Sequence, residues 1–271
     1  MTPVLVAFAG LLGLVIGSFL NVVVARVPVG ASLLPDSRCP RCEAPIRPWQ
    51  NVPVVSWIAL RGRCAACSEP ISRRYPLVEL GTGIVFAGVA AWVLLVLRPP
   101  GVVTGILLFV AYAWFAAAGI ALTAIDLETR RLPDAVVLPS LAAITILLAA
   151  AALVDGDLAP LLRAAIGAVA LFAFYSALRL ARPGGMGGGD VKLAAVVGLV
   201  LGWLGWGPLA VGAFAAFVVG GVIGITLLLG RRATRRTAIP FGPWMLVGAW
   251  IGILAGAPLA TWYLRLIGVD A

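Results

Sequence analysis

Eight long apolar runs, near residues 3–25, 77–97, 102–125, 134–153, 160–181, 191–207, 208–229 and 239–264, constrain this chain more than any other feature. Crossing a hydrocarbon core about 30 Å thick takes roughly 20 helical residues, and in lipid each backbone polar group must find its partner within the protein. The expected fold class is therefore an all-α polytopic membrane protein of about eight transmembrane helices. A composition of 62% hydrophobic and 11% charged residues lies far outside that of soluble domains. The break between the sixth and seventh runs, from Gly202 to Pro208, has no charge to mark it, and the run before it is short.

Charge then orients the runs. Met1, Thr2 and Pro3 offer no positive region before the first run, and the first arginine, Arg26, follows it, so a cleavable signal peptide is not expected and the N-terminus should face outward. With eight alternating spans, the inner loops hold Arg26 to Arg74, Arg130 and Arg131, Arg179 with Arg182 and Lys192, and Arg231, Arg232, Arg235 and Arg236. Of 20 lysines and arginines only Arg98, Arg163 and Arg265 are left outside, which is the asymmetry of the positive-inside rule. The net charge of +9 thus reports topology and contact with an anionic bilayer, and no nucleic-acid partner is expected.

Three segments follow: a first transmembrane helix at 1–25, a polar cytoplasmic loop domain at 26–76, and a transmembrane domain at 77–271. The loop contains all four cysteines, as Cys39-Pro40-Arg41-Cys42 and, after 21 intervening residues, Cys64-Ala65-Ala66-Cys67. Two such pairs match a zinc ribbon, in which each supplies two thiolates to one tetrahedral ion. Two disulfides or two redox pairs are the alternatives. A reducing cytoplasm and a segment of about 50 residues, too small to build a core unaided, favour structural zinc.

The acids near span ends divide by what else could explain them. Asp134 follows a proline and precedes an apolar run, as an N-cap would. Asp126 ends a run, where a helix dipole opposes a negative charge, so it needs another reason to be there. Glu128 reads as part of a solvated turn. Glu79, near the start of the second span, is either a charge favoured by a helix N-terminus or a binding group. Asp190 follows Gly184, Gly185, Gly187, Gly188 and Gly189; a hinge with an N-cap needs fewer glycines, whereas a site pressed against a substrate backbone uses them all. Charges at membrane depth usually carry function. Asp126 and Asp190, on separate inner loops, would share one proton as an aspartyl protease pair does. The chain has no histidine, which excludes histidine-based triads and histidine-ligated zinc proteases. A proton-coupled transporter and a zinc-stabilised membrane scaffold are the rival classes, although no internal repeat across the halves supports the transporter.

Taken in order, the set Gly17-Ser18-Phe19-Leu20-Asn21, the paired cysteines with Asn51-Val52-Pro53, Ile71 to Leu80, Ile125-Asp126 with Leu132-Pro133-Asp134, Gly185 to Leu193, and Ile239-Pro240-Phe241-Gly242-Pro243 resembles the bacterial prepilin peptidases, membrane aspartyl peptidases of the GxGD type. The resemblance implies that Asp126 and Asp190 are catalytic, with Gly187 and Gly189 of the GxGD motif, Asp134 and Lys192 in support. It further implies cleavage of type IV prepilins or pseudopilins after a glycine, on the cytoplasmic side of the inner membrane, releasing a basic leader. N-methylation of the new terminus with S-adenosylmethionine, for which Glu79 is the candidate cofactor-binding residue, and contact with pilus or secretion assembly machinery complete the expectation.

Overall fold

The computed structural model describes residues 2–34, 37–182, 186–230 and 240–268. Gly184 and Gly185, the arginines at 231, 232, 235 and 236, and Ile239 lie outside the described residues. The described residues form α1 (Thr2–Arg26), α2 (Val55–Ala59), α3 (Arg74–Trp92), α4 (Val102–Thr129), α5 (Asp134–Asp155), α6 (Ala159–Ala181), α7 (Gly188–Leu204), α8 (Trp206–Leu229) and α9 (Gly242–Leu266), with no β-structure among them beyond two isolated bridges. Seven helices, α1, α3 to α6, α8 and α9, are long and apolar enough to cross a membrane, so the chain is a multi-pass membrane protein.

The sixth expected span departs from its sequence bounds. Instead of 191–207, α7 begins at Gly188 and stops at Leu204, where Gly205 turns the chain at φ 143° and α8 starts one residue later. Its 17 residues reach only about 26 Å at 1.5 Å per residue. Burial explains why so short a helix suffices. From Val191 to Trp203 every residue but Lys192 is buried, because α7 packs against α5, α6, α8 and α9 and is surrounded by protein.

The chain divides into two compact units, residues 1–121 and 122–271. In the first, α1 and α3 pair through small residues: a Cβ on Gly13 would stand 2.7 Å from the Thr82 carbonyl oxygen, and one on Gly17 would stand 2.6 Å from Glu79 Cα. Between lipid-embedded helices there is little hydrophobic drive to associate, so close backbone contact of this kind, with its dispersion gain, carries the pairing. Asn21 Nδ2 adds a hydrogen bond to the Tyr75 carbonyl (3.2 Å). In the second unit, α6 and α7 approach just as closely, since a Cβ on Gly198 would collide with the Gly167 carbonyl oxygen.

Candidate active site and four-thiol centre

Asp126 lies inside the last turn of α4. The sequence ends the apolar run at Ile125, but the helix continues to Thr129 and closes where Arg130 adopts φ 54° and its N–H bonds the Asp126 carbonyl (2.8 Å). The Asp126 side chain is only 4% exposed, and its Oδ2 is buried without a hydrogen-bond partner among the described residues. A buried carboxylate oxygen left unsatisfied is costly in a finished protein core and is expected where a water or substrate completes the site.

Asp190 is the third helical residue of α7. Gly187 is the N-cap, and Asp190 Oδ2 accepts its backbone N–H (3.1 Å), so the carboxylate reaches back over the helix end instead of capping it from in front. Asp190 lies within electrostatic reach of Asp126 and of the buried phenol of Tyr175. Leu132 closes the space between the two segments. A Cβ on Gly189 would meet Leu132 Cβ at 2.6 Å and its carbonyl oxygen at 3.0 Å, while a Cβ on Gly242 would meet Asp126 Oδ2 at 2.8 Å and Leu132 Cδ1 at 3.2 Å. Both glycines are therefore needed for space.

Asp134 departs from the N-cap reading. Pro133 occupies the cap position of α5, no side-chain cap bond forms, and the Asp134 carboxylate instead takes Lys192 Nζ at 2.6 and 2.8 Å. Capping would require the carboxylate to fold over its own helix, whereas Lys192, two residues past Asp190, offers a full opposite charge. The resulting bridge joins the start of α5 to the first turn of α7.

Several neighbours carry no signal in the sequence. Tyr175 reads there as one more aromatic on an apolar helix, yet it packs with Phe217 (5.6 Å) and Phe241 (6.1 Å) beside the segment leading to Gly242. Arg179 places its guanidinium over Gly188, where a Cβ would stand 2.6 Å from Nη1. Two carboxylates close enough to share one proton can withdraw another from a water and polarise a carbonyl.

The four cysteines form a separate cluster in the first unit. Their sulfurs all lie within 4.8 Å of one another, with Cys39 Sγ and Cys67 Sγ 3.8 Å apart, and none is in a disulfide. Tetrahedral zinc with bonds of about 2.3 Å to sulfur requires sulfurs about 3.8 Å apart, so the donors fit that ion. The two knuckles are copies of one another, a repeat visible in Arg38-Cys-x-x-Cys-x-x-Pro45 and Arg63-Cys-x-x-Cys-x-x-Pro70 once the structure directs attention to it. Each closes with an Arg–Pro bridge, a bond from the N–H of the first cysteine to a carbonyl five residues on (3.0 and 2.8 Å), and a left-handed residue, Glu43 or Ser68. The backbone N–H groups of Cys67 and Ala66 hold the Cys64 thiol down at about 7.

Glu79 belongs to the first unit. It is buried in the second turn of α3, and its Oε2 accepts the N–H of Val54 (2.7 Å), a residue held at φ 61°. The carboxylate thus ties the loop domain to the helix that follows it.

Fold and sites define a multi-pass helical membrane protein with two aspartates, Asp126 and Asp190, near Leu132 and a zinc-ribbon-like four-thiol domain. The chain belongs to the type IV leader peptidase family. Residues 113–225 match that family, and residues 11–93 match the bacterial peptidase A24 N-terminal domain. Among its relatives, a protein of Stutzerimonas stutzeri is 35% identical over 94% of this chain and 92% of its own length. One from Neisseria gonorrhoeae is 36% identical over 93% and 91%, and one from Aeromonas hydrophila 37% identical over 94% and 92%. All three are named prepilin leader peptidase/N-methyltransferase. No solved structure matches the chain. These relatives give no support to the transporter reading.

Proposed function

We propose that this protein is an aspartyl endopeptidase of the bacterial inner membrane that cuts type IV prepilins or pseudopilins after a glycine and N-methylates the residue thereby exposed. The observation that carries the reading is that Gly189, next to Asp190, and Gly242, whose main chain abuts Asp126 Oδ2, both close on Leu132, with Asp126 Oδ2 buried and without a hydrogen-bond partner among the described residues and Asp190 within electrostatic reach of Asp126. The ionised member of the pair takes a proton from water as the water oxygen adds to the scissile carbonyl carbon. The other carboxyl gives its proton to the carbonyl oxygen. Collapse of the adduct breaks the C–N bond, and the departing amine leaves with a proton from the pair.

The positive-inside asymmetry supports an N-terminus outside and an active site facing the cytoplasm. Cys39, Cys42, Cys64 and Cys67 would hold one structural zinc, whose four protein thiolates leave no position for substrate. S-adenosylmethionine would supply the methyl group, with Glu79 as the candidate residue at that end. Prepilin or pseudopilin substrates and the bilayer are the partners this reading implies, with pilus or secretion machinery beyond them.

Asp126→Asn and Asp190→Asn test the pair directly. An amide keeps the shape of each side chain but cannot take up the proton, so each purified variant should insert, fold and lose leader cleavage. Near-normal turnover by either variant would exclude the assignment.

A further inference from the structure

Residues 46–63 carry an apolar surface that neither site uses. Trp49, Val52, Val55 and Ile58 recur every third residue and are 62%, 45%, 62% and 63% exposed. Polar groups turn inward instead. Ser56 is buried, donating to the Trp49 carbonyl (2.7 Å) and accepting the Val52 N–H (2.9 Å). Large apolar side chains outside and a serine inside reverse the order that water imposes on a small domain, and such exposed patches mark interaction surfaces.

The location of the patch narrows its occupant. Val54, between Val52 and Val55, gives its N–H to Glu79 at 2.7 Å. Glu79 stands in the second turn of α3, a membrane-spanning helix whose neighbouring Leu77, Leu80 and Ile84 are exposed in the manner of lipid-facing positions. That single bond holds the 52–55 turn at the level where α3 enters the bilayer. Charge points the same way: residues 46–63 contain Arg47, Arg61 and Arg63 and no acidic residue, and the Arg47 guanidinium lies 5.1 Å from the centre of the Trp49 ring. Tryptophan with arginine at the end of a span is the composition of a membrane interface, where the ring sits at headgroup level and the cation faces phosphate.

We propose that the four-cysteine domain lies on the bilayer, with Trp49, Val52, Val55 and Ile58 inserted among the acyl chains just below the headgroups and Arg47 and Arg61 against anionic phospholipid phosphates. The domain is then held at the membrane surface, where a membrane-anchored substrate chain emerges.

Photocrosslinking in the full-length protein tests this independently of peptidase activity. Ile58→p-benzoylphenylalanine and, as a lipid-facing reference, Ile84→p-benzoylphenylalanine are reconstituted separately in vesicles of phosphatidylglycerol and phosphatidylethanolamine and irradiated with and without added prepilin. The expected result is a mass shift of one phospholipid at position 58, at a yield comparable with position 84. Lipid adducts at 84 but none at 58, or adducts at 58 with prepilin alone, would overturn the proposal. Val55→p-benzoylphenylalanine provides the same readout should the first variant fail to accumulate.

Discussion

The main chain of Gly242 closes directly on Asp126: a Cβ at that position would stand 2.8 Å from the carboxylate Oδ2 and 3.2 and 3.3 Å from the two methyls of Leu132. Gly242 is the first residue of α9, so the helix end presents bare backbone to a carboxylate whose buried Oδ2 has no hydrogen-bond partner among the described residues. The positive end of a helix dipole also favours an anion there.

Gly242→Ala should therefore act on Asp126 by displacing it. A shift of the carboxylate of the order of 1 Å can cost about 100-fold in turnover. Because the substrate contacts elsewhere are untouched, kcat is expected to fall with little change in KM, measured on a purified prepilin. An equal fall in kcat/KM arising from KM alone would place Gly242 in substrate binding instead.

The Lys192–Asp134 bridge offers a second test. Both side chains are partly exposed, so the pair should contribute no more than about 1 kcal/mol to stability. Its expected effect is on geometry, because it ties the first turn of α7 to the segment that carries Leu132. Lys192→Ala should leave the melting temperature nearly unchanged and lower cleavage several-fold. The charge-swapped double variant, Asp134→Lys with Lys192→Asp, should recover much of that loss; no recovery would mean that Lys192 acts on its own.

The cysteine cluster predicts about one zinc per chain in purified protein, lost in Cys39→Ser, because four thiolates close one tetrahedral site. Metal removal should loosen residues 37–73 and leave the spans intact, since a zinc ion would join the two knuckles to one another and would hold none of the spans. Amide exchange before and after chelation would show which segment opens. Intact Cys39–Cys42 and Cys64–Cys67 disulfides in freshly trapped cells would contradict the zinc assignment.

Glu79 has two readings that differ in one measurement. Glu79→Gln keeps an oxygen to accept the Val54 N–H but removes the charge. If that charge serves methyl transfer, leader removal should continue and the processed pilin should lack its methyl group by intact mass. A fully methylated product would leave Glu79 with the anchoring role alone.

Much of this protein is set by local sequence. Apolar runs of 20 or more residues between polar loops have no stable form in lipid except helices, so the spans follow from composition and length. Two CxxC pairs within one polar loop likewise announce a four-sulfur cluster, because each pair forms its knuckle from adjacent residues. What the sequence does not determine depends on contact between distant segments. Whether Asp134 caps its own helix or pairs with Lys192, 58 residues away, is decided by the packing of α5 against α7. That α7 can be too short to span on its own follows from the helices around it. Tyr175, Leu132 and Gly242 acquire their positions near the carboxylates only when α4, α6, α7 and the start of α9 converge. Apolar periodicity tells a chain which residues leave water; in a membrane nearly all of them do, and only the packed structure decides which meet one another.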